Sequence, residues 1–293
     1  MGCPTYLSSW CTCRTRPESS RTERAREENV TETHDTRLRE AAWSRVLVVL
    51  ILATVVVMAR VDAAGSSRGA KEAQAEIQIG LCSTPEQILQ RLDLRPRGAP
   101  ITVWQFDDSL LTLFESGVRL RLRVAAEGGS ELTLKVANQD CARLERGVVP
   151  SGEGKCEYDV YGESMSGTVS ITRHLDVETT RELVAGRAAP EQVLSQSQVR
   201  YLREVARIWP LPTEICSLGP MRVQTYRTPD KLYDIDVSQL PGGTQYAEIS
   251  RKVPVADALR LKGVMEADLS RAGVETCADQ SSQAGNKLRS LLR

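Results

Sequence analysis

Val118–Val124 reads VRLRLRV and Glu131–Ala137 reads ELTLKVA, with the turn signal Glu127-Gly128-Gly129-Ser130 between them. Strict alternation over seven residues has the period of a β-strand, in which successive side chains point to opposite faces. Arg119, Arg121 and Arg123 therefore share one face with each other, and Leu120, Leu122 and Val124 share the opposite one. A Gly-rich turn between two such runs predicts a hairpin.

Working outward, Ala75–Gly80, Val103–Asp108 and Cys156–Glu163 have strand character, the last placing Glu157, Asp159 and Tyr161 on one face. Met221–Arg227, Lys231–Ser238 and Gln245–Lys252 form a second group, joined by Thr228-Pro229-Asp230 and Pro241-Gly242-Gly243. Ser83-Thr84-Pro85-Glu86 carries the cap, early Pro and acidic first turn that open a helix. A helical insert is predicted over 177–208, broken near Gly186–Pro190, and a C-terminal helix over 255–272.

Two arrangements satisfy this pattern. In a one-sided sheet the charged face is solvated and the leucine face packs on helices. In a closed barrel the charged face lines the interior and helices cover the apolar outside. Eight strands suit a barrel, and the two signs of charge are segregated by strand rather than mixed. The expectation is an α+β chain: an eight-stranded antiparallel β-barrel with a polar interior, covered by helices, within residues 64–293.

Composition bounds the rest. The 293 residues carry 38 basic and 38 acidic side chains, so no global field draws in nucleic acid, and no nucleic-acid partner is expected. Aromatics make up only 4%, so a core rests on aliphatic residues. Residues 1–45 lack an apolar period and are expected to be disordered. The apolar run Val46–Ala59 is short for a membrane span, which needs roughly 20 residues, and suits a secretory signal. Arg45 precedes it, and Val61-Asp62-Ala63 follows as a cleavage signal. Residues 1–63 thus read as a leader with a signal peptide or an uncleaved anchor, which makes the domain secreted or periplasmic, or tethered to a membrane by its N-terminus; a buried helix is the other reading.

Export into an oxidising compartment would let Cys82, Cys141, Cys156, Cys216 and Cys277 pair. Cys141 with Cys156 is the first pairing expected, Cys216 with Cys277 the second, and an odd count leaves at least one thiol free or paired between chains. None stands at zinc spacing.

Arg119, Arg121, Arg123 and Lys135 place four cations in a small area. Like charges this close repel by a few kcal/mol at an effective dielectric near ~20, so they call for water, carboxylates or a bound anion. A guanidinium fork matches phosphate oxygens bidentately. Glu76, Glu157, Asp159 and Glu248, with Asp234 or Asp236, could pair with these cations or hold Mg²⁺ or Mn²⁺, hard ions that prefer oxygen ligands.

The segment Val103–Val136 resembles the core of the CYTH family, named for class IV adenylyl cyclases and thiamine triphosphatases. Gln105-Phe106-Asp107-Asp108, the linker from Leu110 to Gly117, Arg119–Arg123 and Leu132–Lys135 stand for successive elements of that family. Cys156-Glu157-Tyr158-Asp159 is similar to its acidic strand, Met221–Arg227 to its basic strand, and Tyr246–Ser250 to its closing Glu-x-Glu strand. The resemblance implies a triphosphate tunnel binding organic or inorganic triphosphates, usually with Mg²⁺ or Mn²⁺. It implies phosphate contacts from Arg119, Arg121, Arg123, Lys135 and Arg222, and metal-side carboxylates at Glu76, Glu157, Asp159 and Glu248.

The departures are as informative. The family opens on Glu-x-Glu-x-Lys, and this chain has Glu76-Ile77-Gln78-Ile79-Gly80; the closing motif reads Glu248-Ile249-Ser250. Two carboxylates and a lysine are missing, which weakens a metal site more than the cation cluster. The expectation is a domain that binds a triphosphate or polyphosphate with weakened or lost hydrolysis. An active metal-dependent triphosphatase and a purely structural barrel, whose Arg and Glu rows pair internally, remain as alternatives.

Overall fold

The computed structural model describes residues 73–141, 154–278 and 283–292. The expected leader, signal and anchor lie outside them. Among the described residues no helix is long and apolar enough to cross a membrane.

The strands are β1 (Gln74–Leu81), β2 (Arg95–Pro96), β3 (Ile101–Asp107), β4 (Val118–Val124), β5 (Ser130–Val136), β6 (Gly154–Tyr161), β7 (Ser164–Leu175), β8 (Cys216–Arg227), β9 (Asp234–Gln239) and β10 (Gln245–Pro254). They pair in the order β8-β3-β4-β5-β7-β6-β1-β10-β9, and β9 returns to β8, closing the barrel. Two-residue β2 pairs on β8 outside the ring. The barrel thus has nine strands where the sequence predicts eight. The added one is β7, whose Ser164-Met165-Ser166-Gly167 start gives no apolar signal. An odd ring cannot alternate direction all the way round, and the mismatch falls between β1 and β6, which run parallel. Every other pairing is antiparallel, so the barrel is mixed.

The hairpin β4–β5 forms as its alternation requires, with Arg119 opposite Lys135, Arg121 opposite Thr133 and Arg123 opposite Glu131. Leu120 and Leu122 point outward into a cluster with Leu132, Leu134, Val169 and Ile171, covered by Leu183, Val193, Tyr201 and Leu202. The covering residues come from Val177–Val184, Pro190–Val193, Gln196–Tyr201 and the π-turn Leu202–Ala206, where the insert is predicted. Gln198 fastens this layer: its buried amide donates to the Leu132 and Ile171 carbonyls at 3.0 and 2.9 Å. A second outer cluster packs Ile77, Ile79, Val160, Ile235 and Ile249 against Ile88, Met265 and Leu269 from the helices Pro85–Arg91 and Ala258–Arg271. The apolar core therefore lies between barrel and helices, and the polar faces turn inward.

Cys141 and Cys156 are bonded as expected. Cys277 does not pair with Cys216 but with Cys82. After Ala258–Arg271 the chain turns back along β1, with Cys82 N donating to Glu275 O and Cys277 N to Gly80 O, both at 2.9 Å, which sets the two cysteines side by side.

Candidate functional site

Strand directions give the bore two distinct mouths. At the first mouth β3 and β9 end while β8 and β10 begin; at the second β4, β8 and β10 end while β1, β5 and β9 begin.

One wall is cationic. Arg119, Arg121, Arg123 and Lys135 all project inward from β4 and β5, as predicted. Burial and the like charges of Arg123 and Arg119 push the Arg121 guanidinium down to about 9, against the pull of Asp236 and Glu76, so it stays charged at neutral pH. Its Nε is buried with no hydrogen-bond partner. Burial, with Arg121 and Arg119, brings the Lys135 ammonium down to about 8, and Asp159 and Glu76 pull the other way. The Cβ atoms of Arg119 and Lys135, directly opposite on adjacent strands, lie roughly 4.5–5.5 Å apart, and like charges held that close repel by a few kcal/mol at an effective dielectric of ~20. Thr133 and Thr172 hydroxyls, 3.0 Å apart, complete this wall across β5 and β7.

The opposite wall is acidic and comes from β6, β1, β10 and β9. Glu76 stands opposite Asp159, and Glu248 opposite Asp236. Of Asp234 and Asp236, it is Asp236 that lies in the bore, accepting from Thr225 Oγ1 at 2.6 Å. Asp234, two residues nearer the second mouth, is held by Arg227 at 2.6 Å and Arg97 at 2.7 Å. Asp159 is buried, and its Oδ2 has no partner.

Two predicted residues serve elsewhere. Glu157 lies toward the second mouth, bound to Lys155 at 2.9 Å and Lys252 at 2.5 Å. Burial alone would raise its carboxyl, yet the two ammonium groups bring it down to about 2. Arg222 lies outside the bore. It pairs with Thr102 and Gln239 on the outward face, in an exterior groove with Val124 and Pro220. A register shift opposite Gly219 resets the alternation of β8, and a shift of one residue flips a side chain to the other face. The inward basic residue of this strand is Arg227.

The three positions that depart from the motif expected by resemblance lie together: Gln78 and Ser250 are cross-strand partners, and Gly80 faces Glu248. In that rung the Tyr161 hydroxyl donates to Gln78 Oε1 at 2.5 Å. Burial raises this hydroxyl well above its ordinary value, so it remains a donor. Sequence reasoning placed Tyr161 on the acidic strand's inner face without giving it a role.

Among the described residues, no salt bridge within 4.0 Å joins Arg119, Arg121, Arg123 or Lys135 to a bore carboxylate. The two walls face one another across the bore rather than pairing. Carboxylates of the acidic wall supply the hard oxygen donors that Mg²⁺ or Mn²⁺ take, and the unpartnered Asp159 Oδ2 fits such an ion. Among the described residues, no group of three or more side chains is already gathered at metal-binding distance.

No family model and no curated protein matches the chain. Among solved structures, it is similar to a Hippeastrum protein assigned as an adenylyl cyclase and described as revealing a dominant triphosphatase activity. The two are 18% identical, with a TM-score of 0.49, over 72% of this chain and 92% of that one. It is also similar to a Bacillus halodurans protein assigned as an adenylate cyclase, at 12% identity and a TM-score of 0.47, over 73% and 97% of the two chains. A Vibrio parahaemolyticus protein with the same assignment is 9% identical, with a TM-score of 0.39, over 73% and 99%. What these structures share with the chain is a likeness of fold.

Proposed function

We propose that the bore binds a linear triphosphate or short polyphosphate between its two walls, with hydrolysis weakened or lost. The observation that carries this reading is the cationic wall of Arg119, Arg121, Arg123 and Lys135, in which Arg121 Nε is buried without a partner. Phosphate oxygens would satisfy that donor and neutralise charges that now repel. The loss of carboxylates at the Gln78–Ser250 rung supports weakened hydrolysis, because fewer anionic ligands hold a metal less tightly.

Glu76, Asp159, Glu248 and Asp236 would hold Mg²⁺ or Mn²⁺, which when bound neutralises phosphate charge and polarises its oxygens. A second reading, an active metal-dependent triphosphatase, is favoured by the unpartnered Asp159 Oδ2. Calorimetry with tripolyphosphate, with and without Mg²⁺ or Mn²⁺, alongside a phosphate-release assay on residues 64–293, separates the two. Binding with negligible release supports the proposal, metal-dependent release supports the second reading, and no binding under any condition overturns both. In the second reading Asp159→Asn abolishes metal-dependent release; in the first it leaves metal-free affinity equal or higher, because a facing negative charge is gone.

We also propose export. Two disulfides among the described residues support an oxidising compartment, and fractionation of the expressed chain tests it.

Lys135 gives the site a pH dependence of defined sign. Its folded pKa lies at about 8, below the ordinary value of 10.5. The empty fold therefore bears the full cost of this charge below pH 8, and gains stability from pH 8 to 10.5 as the folded chain loses the proton first. Ligand affinity runs the other way, since a neutral amine contributes no charge. Tripolyphosphate affinity is expected to fall several-fold between pH 7 and 9.5, with proton uptake on binding at the upper end. Because Arg121 also loses charge near pH 9, Lys135→Arg should lessen the slope, most of all below about pH 8.5, rather than abolish it; an undiminished slope in this variant would assign the dependence to Arg121 or another group.

A further inference from the structure

The helix Gln283–Leu291 lies across the first mouth. Its Leu291 packs against the cluster of Val103, Met221, Val223 and Leu240, and its Leu288 is buried with Leu111 and Leu218. Val103, Met221 and Val223 share the inward face with Arg123, Arg121 and Thr225, so the leucines close the bore from that side. Its polar ties include the Tyr246 and Ser290 hydroxyls, 3.0 Å apart, Arg289 to Glu115 at 3.2 Å, and the Lys287 ammonium over the Tyr246 ring. Cys277, ahead of this helix in the chain, is bound covalently to Cys82, the residue that follows β1. Cys82 is exposed, and the bond borders a cavity of about 600 Å³ lined also by Ser83, Tyr246 and Asn286.

We propose that Cys82–Cys277 is a redox tether that keeps the first mouth plugged, so that reduction releases the helix and turns a blind bore into a through-channel. The effect on ligand traffic rests on the anion-binding reading above; the tether itself does not. A dithiol supplies the two electrons and two protons. One of its thiolates attacks the exposed Cys82 Sγ, the Cys82–Cys277 bond breaks, and Cys277 leaves as a thiolate that takes up a proton. The second thiol of the reagent closes its own disulfide and frees Cys82 as a thiol. A short helix with two leucine anchors is marginal without covalent restraint, because untethering returns the chain entropy that the link removes.

Hydrogen exchange of residues 283–292 tests the tether without any ligand. Cys82→Ser/Cys277→Ser should exchange there at least tenfold faster than the oxidised parent while the strands keep their protection. In the parent, graded dithiothreitol with alkylation mapping should open Cys82–Cys277 before Cys141–Cys156 and accelerate the same peptide, an arm that does not depend on the variant folding. Equal protection of 283–292 before and after that bond opens overturns the proposal. Tripolyphosphate association, measured in parallel, should quicken at least threefold on release. Faster helix exchange with no tripolyphosphate binding in any form would sustain the tether and sink the anion-binding reading; binding with unaltered exchange would do the reverse.

Discussion

Replacing Arg121 with alanine is expected to lower tripolyphosphate affinity at least tenfold while leaving the empty barrel as stable as before, or more so. The two effects have one cause. Arg121 sits between Arg119 and Arg123 on β4 with its Nε buried and unpartnered, and burial and like charge already depress its pKa. In the empty bore the guanidinium is a liability whose removal relieves repulsion; in the loaded bore it is a pre-aimed fork for phosphate oxygens. A tenfold loss corresponds to about 1.4 kcal/mol, just under the ~1.5–3 kcal/mol of one charge-assisted hydrogen bond, which is why tenfold is the lower bound. Calorimetry and thermal melting of the same sample check it. An unchanged affinity would remove the cationic wall from the site, and a collapsed melting temperature would mean that Arg121 holds the fold rather than the ligand.

Gly167→Ala is expected to cost several kcal/mol of stability, or to prevent folding. A β-carbon at this position of β7 would lie 2.1 Å from the Gln139 carbonyl oxygen and 3.2 Å from Cys141 Sγ. The crowding is there because Gln139 N donates to Gly167 O at 2.9 Å, drawing the chain after β5 flat against β7. Gln139 also accepts from the Tyr201 hydroxyl at 2.9 Å, and Cys141 carries the bond to Cys156 on β6. Relief of the clash would strain the insert layer, the disulfide and the β5–β7 seam together, and overpacking in a close-packed site ordinarily costs ~1–3 kcal/mol even where one neighbour can move. Denaturant melts should show the loss, whereas Gly129→Ala, where a β-carbon meets nothing within 4 Å, should remain near the parent.

Much of the barrel was legible because its decisive strands alternate without interruption. VRLRLRV fixes which side chains share a face, so the guanidinium row could be read as one set before any pairing was known, while its inward direction followed only from the choice of a closed barrel. The strand Ser164–Leu175 was not legible. Its inner face carries Thr168, Ser170 and Thr172, and hydroxyls behind a Ser/Gly start look like a loop to any count of hydrophobic period. Arg222 was misplaced because Met221–Arg227 carries a basic residue on each face, and only the pairing of β8 with β3 and β9 decides which face is inside. Asp234 and Asp236 share a face and differ in depth, which strand tilt sets and local sequence does not. Gln283–Leu291 escaped because two leucines among polar residues make too short a stripe to mark a helix. The Cys82–Cys277 bond joins positions 195 residues apart, and nothing local points from one to the other.

The two walls also differ in how far apart their parts lie along the polypeptide. Arg119, Arg121, Arg123 and Lys135 belong to one hairpin, a unit of low contact order that can form soon after its residues leave the ribosome. Glu76, Asp159, Asp236 and Glu248 meet only when β10 has been made and zips against β1. A chain interrupted before β9 would therefore present a row of positive charge with its counterweight unassembled. The excess would be confined to that one face, since residues 1–233 carry 30 basic and 30 acidic side chains, and a polyanion would meet it only at the exposed hairpin.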